Sequence, residues 1–579
     1  MDDPRGGSFA KTLPIVDIDA DPRFTLRWRS LPDGSSHLVN WSGADRPACC
    51  EMGLEVRSTC SSEPGGVAHR TWSIEVRPNK TIEILDVKAT VDAPIARADA
   101  VFLNGYQSWT DSVERRPTAR VRGLDRVPRF IVDRYVLDGS GDYRFTRYDH
   151  RRGHQHGFCY GYIRRADMVA LVGSLEEDSG FTVLRTSTAE NELTLEKEPP
   201  SRPLAAGEFR RLMAFAICQG AREEAVARWL VLAGIRPLPA PPLVGYSSWY
   251  RRYGDIDAES LLDDLKGATH VLCDIDLGPA QRVFQIDDGY SKVGDWLEFD
   301  RSRFPLGPAT VLSAAREEGF IPGIWLAPFV CERDSELYAA HPDWLLSDAF
   351  GSEVRTGCNW SGAVALDTRN SEVRDYIAKV ISTVTANWGA ELLKLDFLFA
   401  ACMIAHDGLN RGELMADALE LLRESAAPRT RMILCGVPLA SAFGKAEYCR
   451  IGCDVGLDWD DRFYMRLLHR ERISTKNSLR NTYGRAHLDG RAFRCDPDAF
   501  FLRAGDVNLT TKQKESLLEA DIVCGGVLLT SDDMGAWTAD QIECYRAAVR
   551  AFAAKEDGAI REAGNENGLL NCSPSSSRS

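Results

Sequence analysis

The sequence predicts a multidomain chain: an N-terminal antiparallel β-sandwich, then a (β/α)8 barrel, then a very short C-terminal remnant. Three observations carry this. Residues 22–235 fall into short alternating runs broken by Gly, Pro, Asp and Asn. Residues 243–555 repeat an apolar strand, a loop and an amphipathic helix. The proline-rich stretch RPLPAPP, whose end marks residue 242, separates the two rhythms and defines a linker over 236–242. With 579 residues, 44% of them hydrophobic, the chain can bury more than one core.

In the first part, runs such as FTLRWRS, HRTWSIEV, TIEILDVKATV and MVALVGSL send every second side chain to one face. Their close spacing indicates a sandwich, 1–235, ended by the helical pattern AREEAVARWLVLAGI. In the second part, eight strands are expected at 243–249, 282–288, 322–328, 392–397, 432–437, 449–455, 492–501 and 525–533. Helical segments such as AESLLDDLKG, ATVLSAAREEG and ELMADALELLRES lie between them, the alternation of a closed parallel barrel. An open doubly wound sheet shares that alternation, but LVGYSSWYRRYGD lacks the glycine-rich phosphate turn usual after its first strand. Residues 556–579 form a short polar tail.

A net charge of −14 argues against nucleic acid or an anionic membrane as partner, because phosphates are repelled. The N-terminus carries no apolar run of signal-peptide length, and no stretch approaches a membrane span. Sixteen cysteines, many inside apolar runs, suit buried free thiols in the cytoplasm. Cys449 with Cys453, and the adjacent Cys49 and Cys50, lack the paired spacing of a zinc site and are read as packing thiols; no metal is expected.

Polar residues collect at the ends of several barrel strands, where barrels build active sites. Strand alternation puts Lys394 and Asp396 of LLKLDF on one face, and Arg450, Gly452 and Asp454 of CRIGCDV on another. Buried ion pairs are poor stabilisers, so two of them at strand ends point to function. Asp287 and Asp288 end the second strand, where Gly289 lets the chain turn. Carboxylates and cations beside Trp249 and Trp325 suit a sugar, whose hydroxyls need directed partners and whose C–H face packs on indole.

At these residues the chain resembles glycoside hydrolase family 36, the α-galactosidases of clan D, especially its shorter microbial members. The blocks are NGYQSW, SSWY, FQIDDGY with GDW, GIWLAPF, HPDW, LKLDF, CGVPL, RIGCDV, DPDAFFLR and LLTSDD, spanning 104–533. The resemblance implies a retaining, exo-acting hydrolase of terminal α-galactosides, with Asp396 as nucleophile and Asp454 as acid/base. It implies substrate contacts from Asp287, Asp288, Lys394 and Arg450, with Cys435 on the O2 side. Trp249 and Trp325 would line the pocket, and Trp109 would reach in from the N-terminal domain. On this reading Lys394 keeps Asp396 ionised, and no cofactor is needed. Related enzymes suggest monomers through tetramers, so a homo-oligomer stays open. A galactosyltransferase of the raffinose or stachyose synthase type and an α-N-acetylgalactosaminidase would share the carboxylates and stay open. Family members usually continue into a C-terminal β-domain, which 556–579 is too short to form.

Overall fold

Alternating burial builds the first part. In Arg23–Ser30 every second residue is buried, turning Phe24, Leu26 and Trp28 inward. The computed structural model describes residues 15–43, 52–61, 67–460 and 469–556, side chains excepted over 52–61. Cys49 and Cys50, the N-terminal fourteen residues and the tail from 557 lie outside the described residues.

Two antiparallel sheets, of six and seven strands, face each other. Their inner faces share a core in which Trp72 stacks on Phe215 with ring centroids 5.1 Å apart, and Phe24 on Trp41 at 5.2 Å. Arg222–Leu232 forms the expected helix. Its Trp229 stacks on Tyr160 at 4.7 Å and donates its indole N–H to the Ser174 carbonyl at 2.9 Å. Residues 236–242 have no regular secondary structure.

The second part is a curled parallel sheet of nine strands: β1 (Leu243–Ser247), β2 (Gln281–Ile286), β3 (Ile321–Leu326), β4 (Leu392–Leu395), β5 (Arg431–Leu434), β6 (Tyr448–Arg450), β7 (Arg494–Asp496), β8 (Ala499–Phe500) and β9 (Val527–Thr530). β7 pairs with β6 and β8 with β9, so the two edges of the sheet are consecutive in the chain. The sequence expected one strand over 492–501. Pro497 cannot donate to a ladder, and Asp498 has φ 91°, so that strand breaks into two. Across the break the Gly526 amide reaches the Cys495 carbonyl at 2.7 Å.

Capped helices alternate with these strands. Ala258–Leu272, Arg411–Ser425 and Thr511–Cys524 each begin with a reciprocal capping box, from Asp257, Asn410 and Thr510. Between β5 and β6 stands only the short turn Leu439–Ala442. Thr475–Arg485 is a helix that apolar periodicity could not announce, because its buried face is Thr475, Asn477, Ser478, Asn481, Thr482 and Arg485. Between β3 and β4 a small antiparallel sheet, Val330–Glu332, Arg355–Gly357 and Ala363–Ala365, rises over the strand ends. Among the described residues no helix is long and apolar enough to cross a membrane.

The two parts are tied by Arg485, which is fully buried. Its guanidinium donates to the carbonyls of Gln107 (3.1 Å) and Ile451 (2.9 Å) and to the Asn104 side chain (3.0 Å).

Candidate active site

The C-terminal ends of the parallel strands surround a cavity of about 280 Å³. This is close to the lower end of the roughly 300–1,000 Å³ typical of ligand pockets, room for one sugar ring and little more. Its floor is polar and its walls aromatic.

At the end of β2, Asp287 is held from several sides. Its Oδ2 accepts from Lys394 Nζ at 2.9 Å, Gln285 Nε2 at 2.9 Å and Ser247 Oγ at 3.3 Å, and its amide donates to Ser248 Oγ at 2.9 Å. Asp288 follows, and its Oδ2 accepts from the Trp360 indole at 2.6 Å. Both carboxylates serve one cavity because the chain turns at Gly289, with φ 121°; a Cβ there would lie 2.7 Å from the Gly254 carbonyl. Burial, with Asp287 adding to it, pushes the Asp288 carboxyl up to about 7 against the lowering effect of the Trp360 N–H.

Asp396 stands just past β4. Its carboxylate accepts from the Trp325 indole at 3.1 Å and from the Phe397 amide at 2.9 Å, and its own amide donates to the Leu326 carbonyl at 2.8 Å. Across the cavity, Asp454 accepts from Arg450 at 2.8 Å. Burial raises the Asp454 carboxyl, and Asp396 and Asp287 raise it further, while Arg450 and Lys394 work the other way. Arg450 is shared: its Nε meets Asp496 at 3.0 Å and its remaining nitrogen Asp498 at 3.0 Å. Asp498 also accepts from Tyr250 at 2.5 Å and from the Val455 amide at 2.9 Å. Trp109 enters from the N-terminal part, its indole donating to Cys435 Sγ at 3.2 Å. Burial raises the Cys435 thiol well above its ordinary range, so it stays neutral. Among the described residues no three His, Cys, Asp or Glu side chains converge as a metal would require.

A family model described as Melibiase matches residues 247–409. The bifunctional α-galactosidase/sucrose kinase AgaSK of Mediterraneibacter gnavus is 27% identical over 150 residues, 26% of this chain and 16% of that protein. The Escherichia coli α-galactosidase is 29% identical over 153 residues, 24% and 21% of the two chains. The matched stretch thus spans about a fifth or less of these relatives. Among solved structures, the Thermus thermophilus α-galactosidase TtGalA in complex with p-nitrophenyl α-D-galactopyranoside superposes with a TM-score of 0.67 at 27% identity, covering 86% of this chain and 92% of that one. The family 36 enzyme AgaA of Geobacillus stearothermophilus shares the fold, with a TM-score of 0.59 at 14% identity over 92% and 76% of the chains. Over these stretches the chain is similar to α-galactosidases of glycoside hydrolase family 36.

In this chain Trp109, Trp249, Asp287, Asp288, Trp325, Lys394, Asp396 and Asp454 all line the cavity. Cys435 and Arg450 do not; both are buried behind it. Two expectations need correcting. Lys394 bonds Asp287 rather than Asp396, because the regular strand stops at Leu395 and Asp396 lies beyond the alternation that would align the two. Arg450 does contact Asp454, but not through shared strand face: β6 ends at Arg450 and Asp454 returns from a loop. Each guanidinium nitrogen of Arg450 is engaged by a carboxylate, so the side chain positions Asp454, Asp496 and Asp498 together.

Sequence reasoning missed Asn359, Trp360, Phe397, Glu471 and Ile473, which also line the cavity. Trp360 and Asn359 sit on the inserted small sheet, where no strand-end rule applies. Asp496 and Asp498 were visible in the DPDAFF block but received no role. Three carboxylates within reach of one arginine can be recognised only in three dimensions.

Proposed function

We propose that this chain is a retaining, exo-acting α-galactosidase on an eight-unit (β/α)8 barrel over 243–555, behind a sandwich domain at 1–235, a linker at 236–242 and ahead of a short tail at 556–579. The observation that carries the proposal is the chemical inequality of two carboxylates in one small cavity. Asp396 accepts from two N–H donors, while burial and neighbouring carboxylates raise the Asp454 carboxyl and favour a proton there. Double displacement pairs an attacking carboxylate with a protonated carboxyl group, and in retaining glycosidases the two stand about 5–5.5 Å apart.

In the first step an Asp396 oxygen bonds to the anomeric carbon as the glycosidic C–O bond breaks, and Asp454 gives its proton to the departing oxygen. The product is a galactosyl ester on Asp396. In the second step the Asp454 carboxylate takes a proton from water, which attacks the same carbon and releases Asp396. The Trp325 N–H holds Asp396 in line. Asp287 and Asp288 accept from the axial O4 and the O6 hydroxyl, and Lys394, tied to Asp287, donates to the ring. Trp109 closes the space beside Cys435, which favours a sugar unsubstituted at O2 over an N-acetylated one. TtGalA has been solved with p-nitrophenyl α-D-galactopyranoside and with stachyose, and both compounds are natural first substrates to try. Among the described residues nine cysteines are both free and buried, which supports a cytoplasmic location.

The test is incubation with p-nitrophenyl α-galactoside, following the first-formed sugar by NMR. The α-anomer is expected first, and an initial β-anomer would rule out retention. Asp396→Gly should lose turnover and recover part of it with azide, giving the β-galactosyl azide; the α-azide would reassign Asp396 as acid/base. Partition between hydrolysis and transfer to added sucrose separates hydrolase from galactosyltransferase.

A further inference from the structure

Beside the catalytic cavity lies a second of about 570 Å³, lined by Arg115, Arg120, Arg122, Arg126, Arg470 and Arg472 against only Asp111 and Asp125. On a chain of net charge −14, this concentration of guanidinium groups is local. The two carboxylates are already engaged. Asp111 is gripped by Arg115 and by Arg470, the latter at 2.5 Å, and Asp125 meets His150 at 3.0 Å. Arg120 reaches only the His150 carbonyl, at 3.4 Å, and Arg472 approaches Asp460 no closer than 3.6 Å. Among the described residues Arg472 Nε and His469 Nδ1 are buried without a hydrogen-bond partner, His469 Nδ1 lying 3.7 Å from Glu471. Like charges crowded beside unsatisfied donors are unfavourable unless an anion joins them, and the planar guanidinium fork matches phosphate, sulfate and carboxylate.

The two cavities share a wall. Along one strip, Glu471 and Ile473 line the catalytic side, and His469, Arg470 and Arg472 line the cationic side; along another, Trp109 and Asp111 divide in the same way. Thr110 Oγ1 joins the strips by donating to Glu471 at 2.6 Å. The wall also belongs to the acid side of the catalytic cavity, because the Ser474 amide donates to the carbonyl of Asp454 itself at 3.2 Å. The cationic cavity therefore lies on the Asp454 flank of the catalytic cavity, across this wall.

We propose that the cationic cavity is an anion subsite for the leaving group, selecting α-galactosides that carry a phosphate, sulfate or carboxylate on the portion released. The proposal rests on the galactosidase reading. Its chemistry could also serve a free anion, and the experiment separates the two sources.

The experiment compares kcat/KM for α-galactosylglycerol and for its glycerol phosphate at low ionic strength. The expected result is at least a tenfold preference for the phosphate ester, shrinking as salt rises. The double variant Arg122→Ala with Arg126→Ala, both at the exposed rim of the cavity, should lose that preference and leave the neutral substrate unchanged. Inorganic phosphate should compete with the ester only. Equal use of the two substrates, or a preference that survives the double variant, overturns the subsite. So does inorganic phosphate altering turnover of the neutral substrate with no preference for the ester, which would mark a free-anion site. If neither compound is hydrolysed, the galactosidase reading fails on its own. Calorimetric binding of the phosphate ester to the intact protein and to the double variant then still decides the subsite, which falls if the two bind alike.

Discussion

Replacing Asp498 by Asn should move the alkaline limb of kcat/KM to lower pH by about one unit. In the proposed mechanism Asp454 works as an acid only while protonated, so activity is lost as pH rises through its folded-state pKa, which burial and neighbouring carboxylates raise. Asp498 grips a different nitrogen of the same Arg450 guanidinium, at 3.0 Å against 2.8 Å for Asp454, and so competes for the charge that would otherwise stabilise ionised Asp454. Burial pushes the Asp498 carboxyl up to about 7, so it is charged only above that pH; once charged, carboxylates on two nitrogens of one guanidinium lie roughly 6 Å apart and at an effective dielectric constant of about 20 repel by roughly 3 kcal/mol, an upper bound of about two pH units. The Asp454 side chain is 32% exposed, so water screens part of this, and about one unit remains. Asn can still accept from Tyr250 and from the Val455 amide, which preserves the loop. Initial rates on melibiose, whose sugar leaving group needs the proton, should show the shift; p-nitrophenyl α-galactoside, with its better leaving group, should show less. An unmoved limb, or one displaced to higher pH, would refute the argument that Arg450 is divided among competing carboxylates.

Trp360→Phe removes an N–H that lowers Asp288, so the Asp288 carboxyl should rise further above about 7 and the acid limb of kcat/KM should move to higher pH, with KM increased about tenfold at neutral pH; steady-state pH profiles check this. Arg485→Met strips several buried carbonyls of their donor and should cost about 3–5 kcal/mol in urea unfolding. Asp521, on Thr511–Cys524, is fully buried with no partner at either carboxyl oxygen, and burial raises it well above the usual range. The folded state thus holds a proton that the unfolded state releases near pH 4, and stability declines as pH rises from there toward the folded pKa. Asp521→Asn should flatten that decline, so that its melting temperature relative to the parent is higher at pH 8 than at pH 4.

Much of this site was legible because barrel strands expose their chemistry at one end. Asp287, Asp288, Lys394, Asp396 and Asp454 could be located from apolar runs that stop at a charge, and they do meet in one cavity. What alternation could not supply is direction beyond the last strand residue, which is why Lys394 was assigned to the wrong carboxylate. Helix Thr475–Arg485 was invisible because it buries polar side chains against the loop of Asp454 and the N-terminal part. Trp360 arrives on an insertion and Glu471 on an irregular segment, and neither carries a periodic signal.

The break between β7 and β8 means that the curled sheet is fastened beside the proposed reaction centre. Asp496 ends one half of the closing strand and Asp498 precedes the other, and both are clasped by Arg450, which also holds Asp454. The seam is therefore short of backbone hydrogen bonds and relies on side-chain charge, so the molecule should open there first when it breathes. A sugar bound against Asp454 would act as a buckle on that seam. Occupancy should slow amide exchange in β6 through β9 more than in β2 and β3, on the opposite side of the sheet.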